Sequence, residues 1–309
     1  MLPALFACGP AVSDVGPRPA PPQETATSEV FTESFDGDTL DLSKWRVAFR
    51  NWGGELNDGT SYNGGVHPDN VRLSGDGALV LEAHGAAWTG GPLGVNRDGT
   101  ERPDGALVGA AIATQSYFAS GRYEVRAKVA PVLGACSAIW TFHYAEAYPG
   151  DDDYPDGETA PYYVLNHEID IESPGRPNAQ HEGIGFDRAL TNTWVGERAG
   201  ELTTGYTEIG VAADDGAWHD YRFDWHSGGD GVTPEVVFFV DGAQVAAIRT
   251  TVPNRAGRLW LGVWFPNGWA GAPAFASASM LVDEVRFTPF HEANDAFVPE
   301  SYADDGWAD

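Results

Sequence analysis

With 309 residues, 42% of them apolar, the chain is long enough to bury a full core as one large all-β domain. Its 18 basic and 45 acidic residues give a formal charge of −27, which sets the surface against phosphate backbones and anionic membranes; nucleic-acid binding is not expected. Two cysteines, Cys8 and Cys136, cannot build a disulfide framework, and no run of 18 apolar residues supplies a transmembrane span.

From the N-terminus, Met1 to Ala7 is short and apolar, and Leu5-Phe6-Ala7-Cys8-Gly9 resembles the lipobox of bacterial lipoproteins, without the basic region of a secretory signal. Pro10, Pro17, Pro19, Pro21 and Pro22 follow among small and polar residues. Residues 1–28 therefore read as a truncated signal or lipobox with an extended linker. A tethered or secreted protein is expected, in the periplasm or lipid-anchored at a bacterial surface.

Arg122 to Val129 alternates as a strand, with Tyr123, Val125, Ala127 and Val129 on one face and Arg122, Glu124, Arg126 and Lys128 on the other. Cys136 reads as a small buried hydrophobe. Residues 143–163 read as a long acidic loop, whose spacing does not fit an EF-hand because Tyr154 and Tyr163 would fall at ligand positions.

The run His167-Glu168-Ile169-Asp170-Ile171-Glu172 comes next. Side chains on a strand alternate between faces, so Glu168, Asp170 and Glu172 share one face and Ile169 and Ile171 the other. The spacing alone also fits the solvated side of a half-buried strand. Three close carboxyls, however, oppose joint ionisation, so one is expected to hold a proton near neutrality while a neighbour is ionised. That is the pair of states that retaining glycoside cleavage uses, with carboxyls about 5–5.5 Å apart. A flat strand separates the two Glu Cα atoms by roughly 13 Å, at about 3.3 Å per residue, and two long side chains leaning inward close much of it. The run is no zinc-protease motif, since Ile171 stands where a second His is needed.

Further on, Glu235–Val240, Asp241-Gly242 and Ala243–Ile248 read as a hairpin closed by a type I′ turn. Leu259–Trp264 and Met280–Phe287 supply further strands, and helical periodicity is not sustained. The elements predict an antiparallel β-sandwich.

The run Glu168-Ile169-Asp170-Ile171-Glu172 resembles the signature of glycoside hydrolase family 16, and other segments agree in order. They are Phe35-Asp36-Gly37 with Lys44-Trp45, Asn70-Val71-Arg72-Leu73, Asp76-Gly77-Ala78-Leu79, Gly121 to Lys128, Ala138-Ile139-Trp140, Trp218-His219-Asp220-Tyr221, and Phe239-Val240-Asp241-Gly242. The resemblance spans about residues 29–290, leaving 291–309 as an acidic tail. It implies a jelly roll of two curved sheets with a concave substrate cleft and the signature on the concave side.

It further implies that Glu168 is nucleophile, Glu172 acid/base and Asp170 their helper, with no cofactor in the chemistry. Trp140, Trp194, Trp264 and Trp269 would line the cleft and Asn192 would hydrogen-bond the sugar, while Trp45, Trp218, Trp225 and Trp260 read as core. A structural calcium ion is implied on the convex face at Asp283, with backbone carbonyls near Gly77 and Glu33. The expected function is retaining, endo-acting hydrolysis of a β-linked polysaccharide, a β-glucan or β-galactan, by a monomer. The alternatives are a transglycosylase on the same residues and a non-catalytic carbohydrate-binding jelly roll. Arginines such as Arg97, Arg102, Arg122 or Arg176 would favour a sulfated glycan only if they cluster in the cleft.

Overall fold

A computed structural model describes residues 26–51, 64–85, 88, 107–177, 181–196, 198–200, 206–266, 268–297 and 300. The expectations for Cys8 and the Pro-rich linker, and for Arg97 and Arg102, lie outside the described residues. So does most of the acidic tail.

Among the described residues eighteen strands and one 3-10 turn (Pro68–Asn70) follow in chain order. The first six are β1 (Phe31–Glu33), β2 (Trp45–Val47), β3 (Arg50–Asn51), β4 (Gly64–Val66), β5 (Val71–Leu73) and β6 (Leu79–His84). Next come β7 (Leu107–Thr114), β8 (Gly121–Lys128), β9 (Cys136–Ala147), β10 (Tyr163–Ser173), β11 (Arg188–Val195) and β12 (Arg198–Ala199). The last are β13 (Thr207–Glu208), β14 (His219–His226), β15 (Glu235–Val240), β16 (Ala243–Ile248), β17 (Arg258–Trp264) and β18 (Ser277–Pro289).

They form the two layers of an antiparallel jelly-roll sandwich. In the inner sheet the order is β2-β7-β17-β9-β10-β11, so the acid strand β10 lies between β9 and β11. In the outer sheet β18 has β8 on one side and β6 and β1 on the other, and β8 leads on to β14, β15 and β16. Among the described strands only β4 with β7 is a parallel pair. The predicted hairpin is present, with Asp241 at φ 48° and Gly242 at φ 78°, the two positive values a type I′ turn needs.

The main core fills the space between the layers. Tyr123, Val125, Phe223, Trp225 and Phe287 from the outer sheet meet Ile139, Ile169, Ile171, Leu259 and Leu261 from the inner one. Tyr123 stacks on Phe223 at 4.5 Å between ring centroids, and truncating such a ring to Ala costs about 3–5 kcal/mol. β8 buries every second residue as its alternation predicts.

Three expectations change. Trp218 is not core: it is half-buried, with the Lys128 ammonium 4.8 Å from its ring centroid. The connection read as 143–163 is shorter, because the β9–β10 ladder runs out to Ala147 and Tyr163. The folded unit also continues past residue 290, since Asp295 accepts from Ser120 Oγ (2.8 Å) and Ser227 Oγ (2.7 Å) and Glu300 from Tyr117 (2.9 Å).

Candidate active site

Residues directly opposite in an antiparallel ladder point to the same side, so the register of β10 fixes what surrounds its acids. Glu168 stands between Phe142 and Trp194, Asp170 between Trp140 and Asn192, and Glu172 between Ala138 and Leu190. One strand further, Trp140 faces Trp260, Ala138 faces Gly262 and Cys136 faces Trp264. Ile169, Ile171, Ile139 and Leu261 point the other way into the main core. The acid side therefore has its own apolar floor of Ala111, Ala113, Ala138, Trp140, Trp260 and Trp264. Gly262 lets that floor lie flat, because a Cβ there would stand 3.1 Å from Trp140 Cη2.

Asp170 is buried and the two glutamates are half-buried. Burial raises all three carboxyls, with Glu168 and Glu172 each pushed up to about 7 and Asp170 well above its usual range. The charges of both glutamates add to the burial of Asp170. Asp170 and Glu168 hydrogen-bond each other, and the Asn166 amide donates to Glu168 Oε2 at 3.2 Å; both bonds favour the ionised form of Glu168. Trp194 donates to Asp170 and Trp264 to Glu172. The Cys136 thiol donates to Glu172 Oε1 at 3.5 Å. Three raised carboxyls on one face cannot all ionise together near neutrality, so the strand holds protonated and ionised carboxyls side by side.

The structure brings every proposed cleft residue to this side, in differing states. Trp140 is buried and stacked on Trp260 at 5.4 Å, so it is floor. Trp264 is buried at Glu172, and Trp269 meets it edge-on at 6.2 Å. Trp194 is half-buried beside the acids, and Asn192 is buried with Oδ1 lacking a partner among the described residues.

Sequence reasoning missed Trp260 and Cys136. Trp260 is buried, but on the acid side rather than in the main core. The signal was available: Trp260 is four residues from Trp264 and Cys136 four from Trp140, which on a strand is the same face. Tyr206 carried no such signal, and Arg176 stood only among the four arginines considered for the cleft; both reach the Glu172 end of the site from loops.

The loop 148–162 is tied down by the Asp153–Arg255 ion pair and by Tyr154, which packs on Ala145, Ala147 and Leu165. On the acid side, Glu146 accepts from the hydroxyls of Tyr144 (3.1 Å) and Tyr148 (2.6 Å). Behind β10, His143 and His167 are buried and neighbouring, and burial lowers each to about 3.

The residues of the implied calcium set gather on the outer sheet, where Glu33 pairs with Val285 and Leu79, after Gly77, pairs with Val282. Asp283 is the one side-chain ligand of that set, and its Oδ2 lies 3.0 Å from Arg126 Nε, so an ion there would have to displace the guanidinium. Among the described residues no group of three or more His, Cys, Asp or Glu could hold a metal, and no helix is long and apolar enough to cross a membrane.

Comparison with known proteins bears on these features. Residues 69–280 match the family model of glycosyl hydrolases family 16. The beta-glucanase of Rhodothermus marinus is 26% identical over 311 aligned positions, covering 93% of this chain and 92% of that protein. A prokaryotic beta-1,3-1,4-glucanase (lichenase) from a mouse hindgut metagenome superposes with a TM-score of 0.58 at 22% identity, over 84% of this chain and 99% of that one. The catalytic domain of an endo-1,3-beta-glucanase (laminarinase) from Thermotoga petrophila gives 0.57 at 18% identity, over 85% and 98%. At these identities the two structures speak to the fold.

Proposed function

The chain belongs to the glycosyl hydrolases of family 16, and from that premise we propose that it is a retaining, endo-acting hydrolase of a β-linked glucan or galactan. The observation that carries the reading is one strand face holding Glu168, Asp170 and Glu172, all three raised by burial, with Glu168 and Asp170 hydrogen-bonded to each other. Ionised Glu168 attacks the anomeric carbon; a glycosyl–carboxylate bond forms as the glycosidic C–O bond breaks, and the leaving oxygen takes the proton of Glu172. Glu172, now a carboxylate, accepts a proton from water, which attacks the same carbon and frees Glu168 with net retention. Asp170 holds the Glu168 rotamer through their hydrogen bond and keeps its own proton.

No metal takes part in these steps. A calcium ion at Asp283 would be structural, and it would have to displace Arg126. For the sugar, Trp194 and Trp269 offer ring faces, and the bare Asn192 Oδ1 offers an acceptor to a hydroxyl. The glucan half of that reading draws on the named activities of the relatives.

Glu168→Ser tests the reading. It is expected to abolish release of reducing ends from a panel of lichenan, laminarin, xyloglucan, agarose, carrageenan and galactan while thermal melting stays that of a folded protein; retained turnover would falsify the nucleophile assignment. NMR of the first wild-type products is expected to show the retained anomer. Products lengthened by an added acceptor oligosaccharide would turn the reading to transglycosylation.

A further inference from the structure

At the Glu172 end of the cleft stands a cation that the proposed chemistry does not use. Arg176 is exposed, and its guanidinium carbon lies 5.4 Å from the centroid of the Trp269 ring and 5.8 Å from that of Tyr206. Both rings belong to the cleft: Trp269 abuts Trp264, and the Tyr206 side chain feels the charges of Glu172 and Asp170. The Arg176 charge in turn favours the ionised form of Glu172, so the guanidinium lies within electrostatic reach of that end of the strand.

In a chain of formal charge −27 a basic side chain ordinarily finds a carboxylate, and Arg122, Arg126, Arg222, Arg249 and Arg255 each do. Arg176 has no carboxylate within ion-pair distance among the described residues, Glu172 included. A guanidinium whose neighbours are ring faces spends no N–H donor on them, and those donors match the oxygens of a sulfate or carboxylate in pairs. Its backbone is held from two sides. Gly175 and Gly185 exchange hydrogen bonds of 2.9 and 3.0 Å, and buried Arg188 donates through Nε to the Arg176 carbonyl at 3.1 Å. A cation held in place by its own backbone and two rings loses little freedom when an anion arrives.

We propose that Arg176, with Trp269 and Tyr206, forms a subsite for an anionic substituent on the glycan, a sulfate ester or a carboxylate, at the Glu172 end of the cleft. The proposal rests on reading the cleft as a polysaccharide site. It names Arg176 as a specificity-determining residue and gives it no part in bond breaking. The chain would then select a charged β-glycan despite its own negative charge, through one local cation.

The test separates this proposal from the hydrolase reading by measuring binding as well as turnover. Calorimetry on Glu168→Ser and on Glu168→Ser/Arg176→Gln would use β-glucan and β-galactan oligosaccharides in three forms: unmodified, O-sulfated and carboxymethylated. For Glu168→Ser, at least one charged form is expected to bind about tenfold or more tighter than its neutral parent, with the advantage shrinking in high salt. In the double variant that advantage is expected to vanish, and Arg176→Lys in its place to keep only part of it, because the charge stays and the fork is lost. Whether the sulfated or the carboxymethylated form carries the effect says which anion is read. In the active background, Arg176→Gln is expected to lower the ratio of kcat/KM on charged over neutral polymer by about the same factor.

Equal binding of charged and neutral forms to Glu168→Ser would overturn the proposal. So would equal loss on both in the double variant, or an Arg176→Gln variant that moves only the pH profile, since either makes Arg176 scaffold or a modulator of Glu172. Charged-glycan selectivity that depends on Arg176, in a protein that cleaves nothing, would sustain the subsite and sink the hydrolase reading.

Discussion

In β8, Arg122, Glu124, Arg126 and Lys128 occupy alternate positions, as Glu168, Asp170 and Glu172 do in β10, and in both strands the residues between them enter the same core. The outer strand balances its charges at once. Arg122 is bidentate to Asp224 at 3.0 and 3.1 Å, and Arg126 contacts Asp220 at 3.1 Å and Asp283 at 3.0 Å. A groove of about 320 Å³ opens there among such paired residues, and none of the three acids lines it. The inner strand has no cation directly opposite its acids: the cross-strand neighbours are Phe142, Trp140, Ala138, Trp194, Asn192 and Leu190. Alternation thus gives a salt-bridged outer wall in one sheet and a row of carboxyls with raised pKa in the other. What differs is the neighbouring strand.

The largest break in that contrast is expected from Glu172→Gln, which keeps shape and removes the proton. On a natural polysaccharide kcat should fall by about 10²–10⁴, and by far less on an aryl glycoside whose leaving group needs no acid. Equal losses on the two substrates would remove Glu172 from the acid role.

Asp170→Asn comes next, with kcat expected to fall about a hundredfold, the scale of losing one positioned donor. Its stability effect has the opposite sign. A carboxyl raised on folding contributes stability that is full below its unfolded pKa and is lost as pH rises through the folded one. The variant should therefore melt higher than wild type at pH 8 and gain nothing at pH 4, and a lower melting temperature at pH 8 would contradict the raised carboxyl.

His143→Leu probes the other side of the same strand pair. Burial holds His143 near 3, so the unfolded chain takes up its proton first, and stability falls as pH drops from about 6.5 towards 3. Thermal melts between pH 7 and pH 4 should lose less in the variant, and an unchanged acid slope would sink this account. Arg126→Gln should do least, changing stability within about 1 kcal/mol and leaving kcat alone, as solvent-exposed ion pairs do. A large activity loss there would mean that the outer wall reaches the cleft.

Much of this was legible in the chain itself. Period-two alternation put Glu168, Asp170 and Glu172 opposite Ile169 and Ile171, and Asp241-Gly242 announced the hairpin. Trp260 shows how a readable signal is misread: bulk suggested core, while its spacing from Trp264 already assigned it to the acid side. Trp218 failed for a different reason, since an indole with the Lys128 ammonium over its ring needs no interior. Arg176 could not be placed by spacing, because it follows the end of β10 and meets its two rings through loops.

By itself the sequence determined which side chains share a face and in what order the strands come, because both follow from backbone geometry and local propensity. Only the tertiary structure decided which strand lies beside which, and so what each carboxyl meets. Cys136, Trp264 and Arg176 converge on Glu172, and Trp194 and Glu168 on Asp170. The physical reason is that desolvation and charge act through space. A carboxyl becomes an acid or a nucleophile through neighbours that arrive from other strands and loops.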